Sequence, residues 1–364
     1  MSYSSSEEKI LWKRPSKSKG KPKMNEMNNH HCSNNCKAET QKGEYKLVSY
    51  QELPNYMKDN EYIRDYYRAN WPLKVAFFSL FRWHNETLNV WTHLIGFVMF
   101  FWLTLSNLMH SSPQLADLIS IFFTSAYSES PAANVSHSSN DFSFGGTAAW
   151  MNITQPADSM FTGTSRWPFF VFLAGSMFCL LSSSTCHLFC CHSHRVNILL
   201  LRFDYVGIAV MIVTSFFPPI YYIFQCEPVW QFVYLSGITT MGICTVYTLL
   251  SPLLSTKEYR RFRALLFFSM GFSGIVPAIH ALIVNWNEPR RFVTLAYESA
   301  MALSYAIGTL FYVTRIPERW RPGWFDLAGH SHQIFHIFVI LGALSHYGAA
   351  LVFIDWRDTV GCTI

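Results

Sequence analysis

Seven stretches of mostly apolar residues recur along the chain, at about 88–109, 167–189, 203–225, 229–250, 264–285, 292–314 and 331–354. Each has the ~20 residues that an α-helix needs to cross the hydrocarbon core of a bilayer. Lipid offers the backbone no hydrogen-bond partners, so a segment of this kind has to be helical. The prediction is an all-α integral membrane protein, a seven-transmembrane helix bundle over 88–354. Only 14% of its 364 residues are charged and 17% are aromatic, whereas soluble chains average roughly 25% charged. Residues 1–45 are rich in Lys, Ser and Asn and lack the short apolar run of a leader. They are expected to form a disordered tail with no cleaved targeting segment.

Lys and Arg fix the orientation, because basic loops stay on the cytoplasmic side. The first 87 residues are strongly basic, and the loops after spans two, four and six carry Arg195 and Arg202, then Lys257, Arg260, Arg261 and Arg263, then Arg315, Arg319 and Arg321. The opposite side has Arg166, Arg290, Arg291 and Arg357. The N-terminus is therefore predicted to be cytoplasmic and the C-terminus outside, in a multi-pass protein of the plasma membrane or an endomembrane. A long outer loop over 110–166 agrees with this, since it holds glycosylation sequons at Asn134 and Asn152. It also holds an apolar patch, Leu115 to Phe123, that could lie on the outer interface. Residues 355–364 form a short outer tail. Residues 46–87, aromatic and basic with breaks at Pro54 and Pro72, suit short interfacial helices on the inner surface. A plain anchor and a regulatory segment both fit them. Of nine cysteines, Cys226 and Cys362 fall outside, where one disulfide is conceivable but not implied. The early HHCSNNC run is a poor metal site in flexible surroundings.

The last span opens on His330, His332 and His336. Residues four apart share a helix face, so His332 and His336 have the spacing of a metal-gripping pair near the inner surface. A catalytic zinc usually takes three protein ligands. Span two leaves toward the same side and ends in CLLSSSTCHLF, which puts His187 at that depth, with Ser183 one turn above it. Asp204 opens span three in the same layer. Each residue also has an ordinary reading: a histidine near a helix end that is interfacial or bonded to a neighbouring helix rather than a ligand, the reading adopted for His93, His280, His330 and His346, or an N-cap for Asp204. Four ionisable groups at one level of a membrane nevertheless mark a candidate site. Glu298 in span six is a further intramembrane acid with no obvious partner.

The motifs HNETLNVWTHLIG, SSSTCH, LRFDYVGIA, SGIVPAIH, RIPERWRPGWFD and SHQIFH, spread from about residue 52 to the end of the chain, resemble those of the progestin and adipoQ receptor family. Within it the chain is most similar to the plant heptahelical proteins, with a long insertion after span one. The resemblance implies a seven-helix receptor-like signalling protein with a zinc ion near the inner leaflet, ligated by His187, His332 and His336. It assigns Asp204 to the reactive water and Ser183 to the position one turn before the first histidine. The insertion puts in doubt any ligand carried over from animal relatives.

Three neutral imidazoles would leave zinc its full charge, the apparatus of a hydrolase. Asp204 could accept a proton from water and pass it to a leaving amine, and Ser183 could stabilise an oxyanion. The substrate would be a membrane lipid, a ceramide-like amide by the resemblance. A structural zinc clamping spans two, three and seven remains the alternative. Partners would be an outer or lumenal ligand and cytoplasmic proteins; no nucleic acid is implied. No lysine follows Lys257, which excludes a retinal Schiff base in span seven. Span three has no DRY-like end, and Gln333 stands after His332 where a zincin needs Glu. No line of ionisable groups crosses the bilayer as a channel would require.

Overall fold

A computed structural model of the protein describes residues 45–111, 164–251 and 257–362. The predicted tail up to residue 44, the HHCSNNC run, both sequons, the Leu115 to Phe123 patch and all but the ends of the 110–166 loop lie outside the described residues. The helices, in chain order, are α1 (Leu73–Phe78), α2 (Thr87–Ser111), α3 (Trp167–Phe189), α4 (His194–Ser215), α5 (Phe217–Ile223), α6 (Pro228–Leu249), α7 (Arg260–Phe272), α8 (Ile275–Val284), α9 (Arg291–Thr314) and α10 (Ser331–Val360). Among the described residues there is no β-strand, only an isolated antiparallel pairing of Val48 with Tyr67.

Among the described residues, six runs are long and apolar enough to cross a membrane: α2, α3, α4 with α5, α6, α7 with α8, and α10. Helix α9 coincides with the sixth predicted span and matches the others in length. It falls outside that apolar set, its sequence being diluted by Arg291, Glu298 and several hydroxyls. Two of the runs are broken by proline. Pro218 and Pro219 separate α4 from α5. Pro277 cannot donate to the carbonyl of Ser273, four residues before it, and the chain divides there into α7 and α8.

Two helix boundaries differ from the sequence reading, for one reason: a hydropathy window ends where side chains turn polar, but a helix need not. Helix α4 begins at His194, nine residues before the predicted 203, so Asp204 lies well inside it and is not an N-cap. Helix α10 continues past residue 354 to Val360. Arg357 reaches from it to the Tyr222 carbonyl and, at 2.7 Å, to that of Ile223, and Asp358 pairs with Arg166.

Helix α3 is the most buried of the membrane-length helices; Phe172, Leu173 and Leu180 are fully enclosed. Helices α2 and α4 pack along it, while α10 packs against α2 and, most extensively, α9. Glycine permits a close approach of α3 and α4. A Cβ at Gly207 would stand 3.1 Å from the Cys179 backbone and 2.4 Å from the Ser182 hydroxyl, the small-residue contact that lets membrane helices approach. That contact brings Asp204, one turn before Gly207, beside Ser183, one turn after Cys179. Facing away from the core, Phe232, Tyr247, Leu265, Ile283 and Leu303 are exposed, which suits lipid better than water.

The segment before α2 is built into the bundle. It forms 3₁₀ turns at Tyr50–Glu52 and Asn55–Met57, then α1. Arg68 is 2% exposed and donates to the carbonyls of His187 at 2.7 Å and Leu188 at 3.0 Å. These belong to the last turn of α3, where carbonyls lack intrahelical partners. Asp326 accepts the backbone N–H groups of Arg64 and Asp65, both at 3.0 Å. Glu318, fully buried, accepts from Asn60 at 3.1 Å and from the Ser331 N–H at 2.7 Å. Its carboxylate thereby sits at the positive end of α10.

Candidate metal centre

The three predicted histidines meet. His187 comes from the last turn of α3, His332 and His336 from the first turns of α10, and one ring nitrogen from each lies within 4.8 Å of the others. His332 Nε2 is 3.1 Å from His187 Nε2, a separation that a shared proton or a shared cation could hold.

The surroundings set the tautomers. Glu86 Oε2 lies 2.8 Å from His187 Nδ1; a carboxylate only accepts, so Nδ1 carries the hydrogen and Nε2 keeps its lone pair. Asn89 donates to the same Glu86 oxygen at 2.6 Å. Thr92 gives its hydroxyl hydrogen to the Leu88 carbonyl at 2.8 Å and stands 3.2 Å from His336 Nδ1. It therefore accepts from that nitrogen, again leaving Nε2 free to ligate. Such carboxylate and hydroxyl partners are the usual support of metal-binding imidazoles. The donor set fits a divalent metal with nitrogen ligands, and this chain could hold one there.

Below α2, His84 Nδ1 accepts the Glu86 N–H at 3.1 Å. Burial, aided by the Arg68 guanidinium, holds the His84 imidazole down at about 3, so it stays a neutral acceptor at any physiological pH and keeps Glu86 in place.

Asp204 and Ser183 line the same cavity as the three histidines, a space of about 1010 Å³. The Ser183 hydroxyl stands beside the Asp204 carboxylate on the cavity wall. Away from the histidines the cavity runs between α4, α7 and α9, past apolar residues such as Met211, Phe272 and Ile275. It belongs with the larger apolar pockets carrying a few convergent polar groups that serve as small-molecule sites.

Sequence reasoning missed the support from α2. The ordinary reading of His93 is corrected: its ring stacks on that of His336, centroids 3.6 Å apart and planes 13° apart. The signal was present in HNETLNVWTH, where Glu86, Asn89 and His93 recur at three and four residues, one helix face. His280 and His330 do bond to neighbours, Tyr234 at 2.9 Å and the Asn85 carbonyl at 3.4 Å. Glu298, left without a partner by the sequence, faces His346 at 3.0 Å. Cys226 and Cys362 form a disulfide.

Comparison with known proteins agrees with the architecture. The sequence pattern of the haemolysin-III related family matches residues 81–347. The chain is 60% identical over 331 residues to "Heptahelical transmembrane protein ADIPOR1" of Oryza sativa subsp. japonica, covering 88% of this chain and 87% of that one. It is 58% identical to "Heptahelical transmembrane protein 1" of Arabidopsis thaliana, covering 87% and 83%. At greater distance it is 32% identical to the "Adiponectin receptor protein" of Drosophila melanogaster, covering 83% of this chain and 58% of that one. With its apolar helices and the span of these matches, this chain belongs to the haemolysin-III related family of multi-pass integral membrane proteins, which is the progestin and adipoQ receptor family.

Proposed function

We propose that this protein is an adiponectin receptor-like signalling protein of seven spans that holds zinc near the cytoplasmic leaflet and hydrolyses a lipid amide there. One observation carries the reading. The ligating nitrogens of His187, His332 and His336 converge within 4.8 Å beside Asp204, at one end of a cavity with apolar walls.

The seventh span in this reading is α9, which matches the others in length and packs along α10. The N-terminus is cytoplasmic and the C-terminus outside. Support comes from basic-residue asymmetry and from the Cys226–Cys362 disulfide, which belongs to an oxidising compartment. A tag at residue 1 is expected to be protected from protease added to intact cells, and one after Ile364 to be cleaved; the opposite pattern overturns the orientation.

Zinc, when bound, supplies a Lewis acid that polarises the amide carbonyl and eases deprotonation of water. The chain's residues do the rest. Glu86 and Thr92 hold two of the imidazoles with their Nε2 lone pairs turned to the shared centre. Asp204 takes a proton from the attacking water on a carboxylate oxygen and returns it to the departing nitrogen. Ser183 donates a hydrogen bond to the developing oxyanion. Water adds to the carbonyl carbon, the C–N bond breaks, and a fatty acid and an amine leave. The apolar stretch of the cavity takes the chain of a ceramide-like substrate. An outer or lumenal ligand and cytoplasmic proteins are the partners expected of a receptor.

Purified protein in detergent is expected to turn over ceramide, to lose that activity on chelation and to regain it with added zinc. Turnover that survives complete removal of the metal overturns the proposal. A purely structural zinc is the competing reading, favoured by the position of its ligands at the ends of α3 and α10, which the ion would clamp.

A further inference from the structure

At the end of the bundle opposite the three histidines, a second cavity of about 320 Å³ lies among α4, α5, α8, α9 and α10. Most of its wall is apolar, with Phe216, Ile220, Leu282 and Phe353 among the lining. It nevertheless contains ionisable groups that the proposed reaction does not use. Glu298 lies on α9 two turns in from Arg291, or ~10 Å at the rise of an α-helix. His346, on the middle of α10, is 1% exposed.

These groups are near each other and incompletely satisfied. His346 Nδ1 is 3.0 Å from Glu298 Oε1, close enough for an ion pair but out of line for a hydrogen bond. Neither of these atoms, nor His346 Nε2, nor the indole nitrogen of Trp356 on the same wall, has a hydrogen-bond partner. Phe172 packs edge-to-face against the imidazole, centroids 4.7 Å apart. The nearby guanidinium groups are turned elsewhere. Arg290 pairs with Asp355 at 3.6 Å and donates to Thr359 at 2.7 Å, and Arg291 lies over the rings of Trp286 and Phe292 at 4.6 and 4.7 Å. Glu298 has no Arg or Lys partner in the ion pairs of the described residues.

We propose that this cavity binds the protonated amine head of a single-chain amphiphile, with Glu298 and His346 receiving the head. An ammonium group donates where these groups can accept and supplies the counter-charge a carboxylate in a membrane-spanning helix otherwise lacks. A carboxylate head meets repulsion at Glu298, and an uncharged amide or hydroxyl head leaves the charge uncompensated. The chain of the amphiphile lies along the apolar wall. Met211, Ile275 and Tyr305 stand between this cavity and the histidine cavity. The site depends neither on zinc nor on hydrolysis.

The test is saturable binding of radiolabelled sphingosine to the purified full-length protein in detergent, with N-acetylsphingosine and oleate as comparators. The wild type is expected to bind the amine at least tenfold more tightly than either comparator. Glu298→Gln, which keeps the shape and removes the charge, and Leu282→Trp, which fills only this cavity, each weaken the amine at least tenfold. His332→Ala with His336→Ala binds as the wild type does, which separates this site from the histidine centre. Absence of saturable amine binding to the wild type, equal binding of oleate or the N-acetyl analogue, or undiminished binding in a folded Glu298→Gln protein overturns the assignment.

Discussion

A His332→Ala, His336→Ala double variant is expected to purify with almost no zinc, against about one ion per chain for the wild type, as a three-ligand protein site holds. The two substitutions remove both ligands that α10 contributes and leave His187 with Glu86 behind it, and one imidazole does not retain a metal through purification. Metal analysis of the detergent-solubilised protein, normalised to amino-acid content, reads the result. The wild type should also melt at a higher temperature than the variant, because a metal that binds only the folded bundle stabilises it. Full zinc occupancy in the double variant would falsify the ligand assignment, whatever happens to activity.

Asp204→Asn separates catalyst from clamp. The substitution keeps the size of the side chain and leaves an amide oxygen for Ser183 to bond, so the contact between α3 and α4 at Gly207 survives. What disappears is the group that accepts a proton. Loss of a positioned general base lowers turnover by ~10² to 10⁴, and that drop is expected in ceramide hydrolysis with zinc content and melting temperature unchanged. A structural zinc gives a different pattern, with no hydrolysis in the wild type and a lower melting temperature when the metal is removed. Wild-type activity that persists undiminished in Asp204→Asn would show that Asp204 is not the base.

Much of this was legible from sequence because membrane helices announce themselves by length and apolarity. Each predicted span falls on helix, six of them on runs long and apolar enough to cross a membrane, and the order of the spans is enough to bring His187 to the level of His332 and His336. The failures lie where polarity and structure part company. The start of α4 was missed because Arg195 and Arg202 end an apolar window without ending a helix, and that shift turned Asp204 from an apparent cap into an interior residue. Glu86 was overlooked because it precedes the first apolar run; its role depends on α2 standing beside α3, which composition does not report. Glu298 looked solitary for a similar reason. His346 is 48 positions away on the next long helix, and only the packing of α9 on α10 makes them neighbours.

The docking of Arg68 and its neighbours has a consequence for the order in which the protein can mature. Arg68 joins Leu188 across 120 positions, Asn60 joins Glu318 across 258, and Arg64 joins Asp326 across 262. A ribosome releases residues 45–86 first and α10 last. Arg68 can be matched once α3 has been made, whereas the Asn60 amide and the backbone donors of Arg64 and Asp65 must wait for Glu318 and Asp326. Contacts of such sequence separation carry the highest loop-closure cost and form late. The imidazole of His187 likewise waits for α10 to bring His332 and His336. Translation that stops short of Ser331 thus yields most of a bundle that has every named partner of the N-terminal belt but no centre able to take up metal. The start of the last helix is the event that completes the centre, after the partners of the belt are already made.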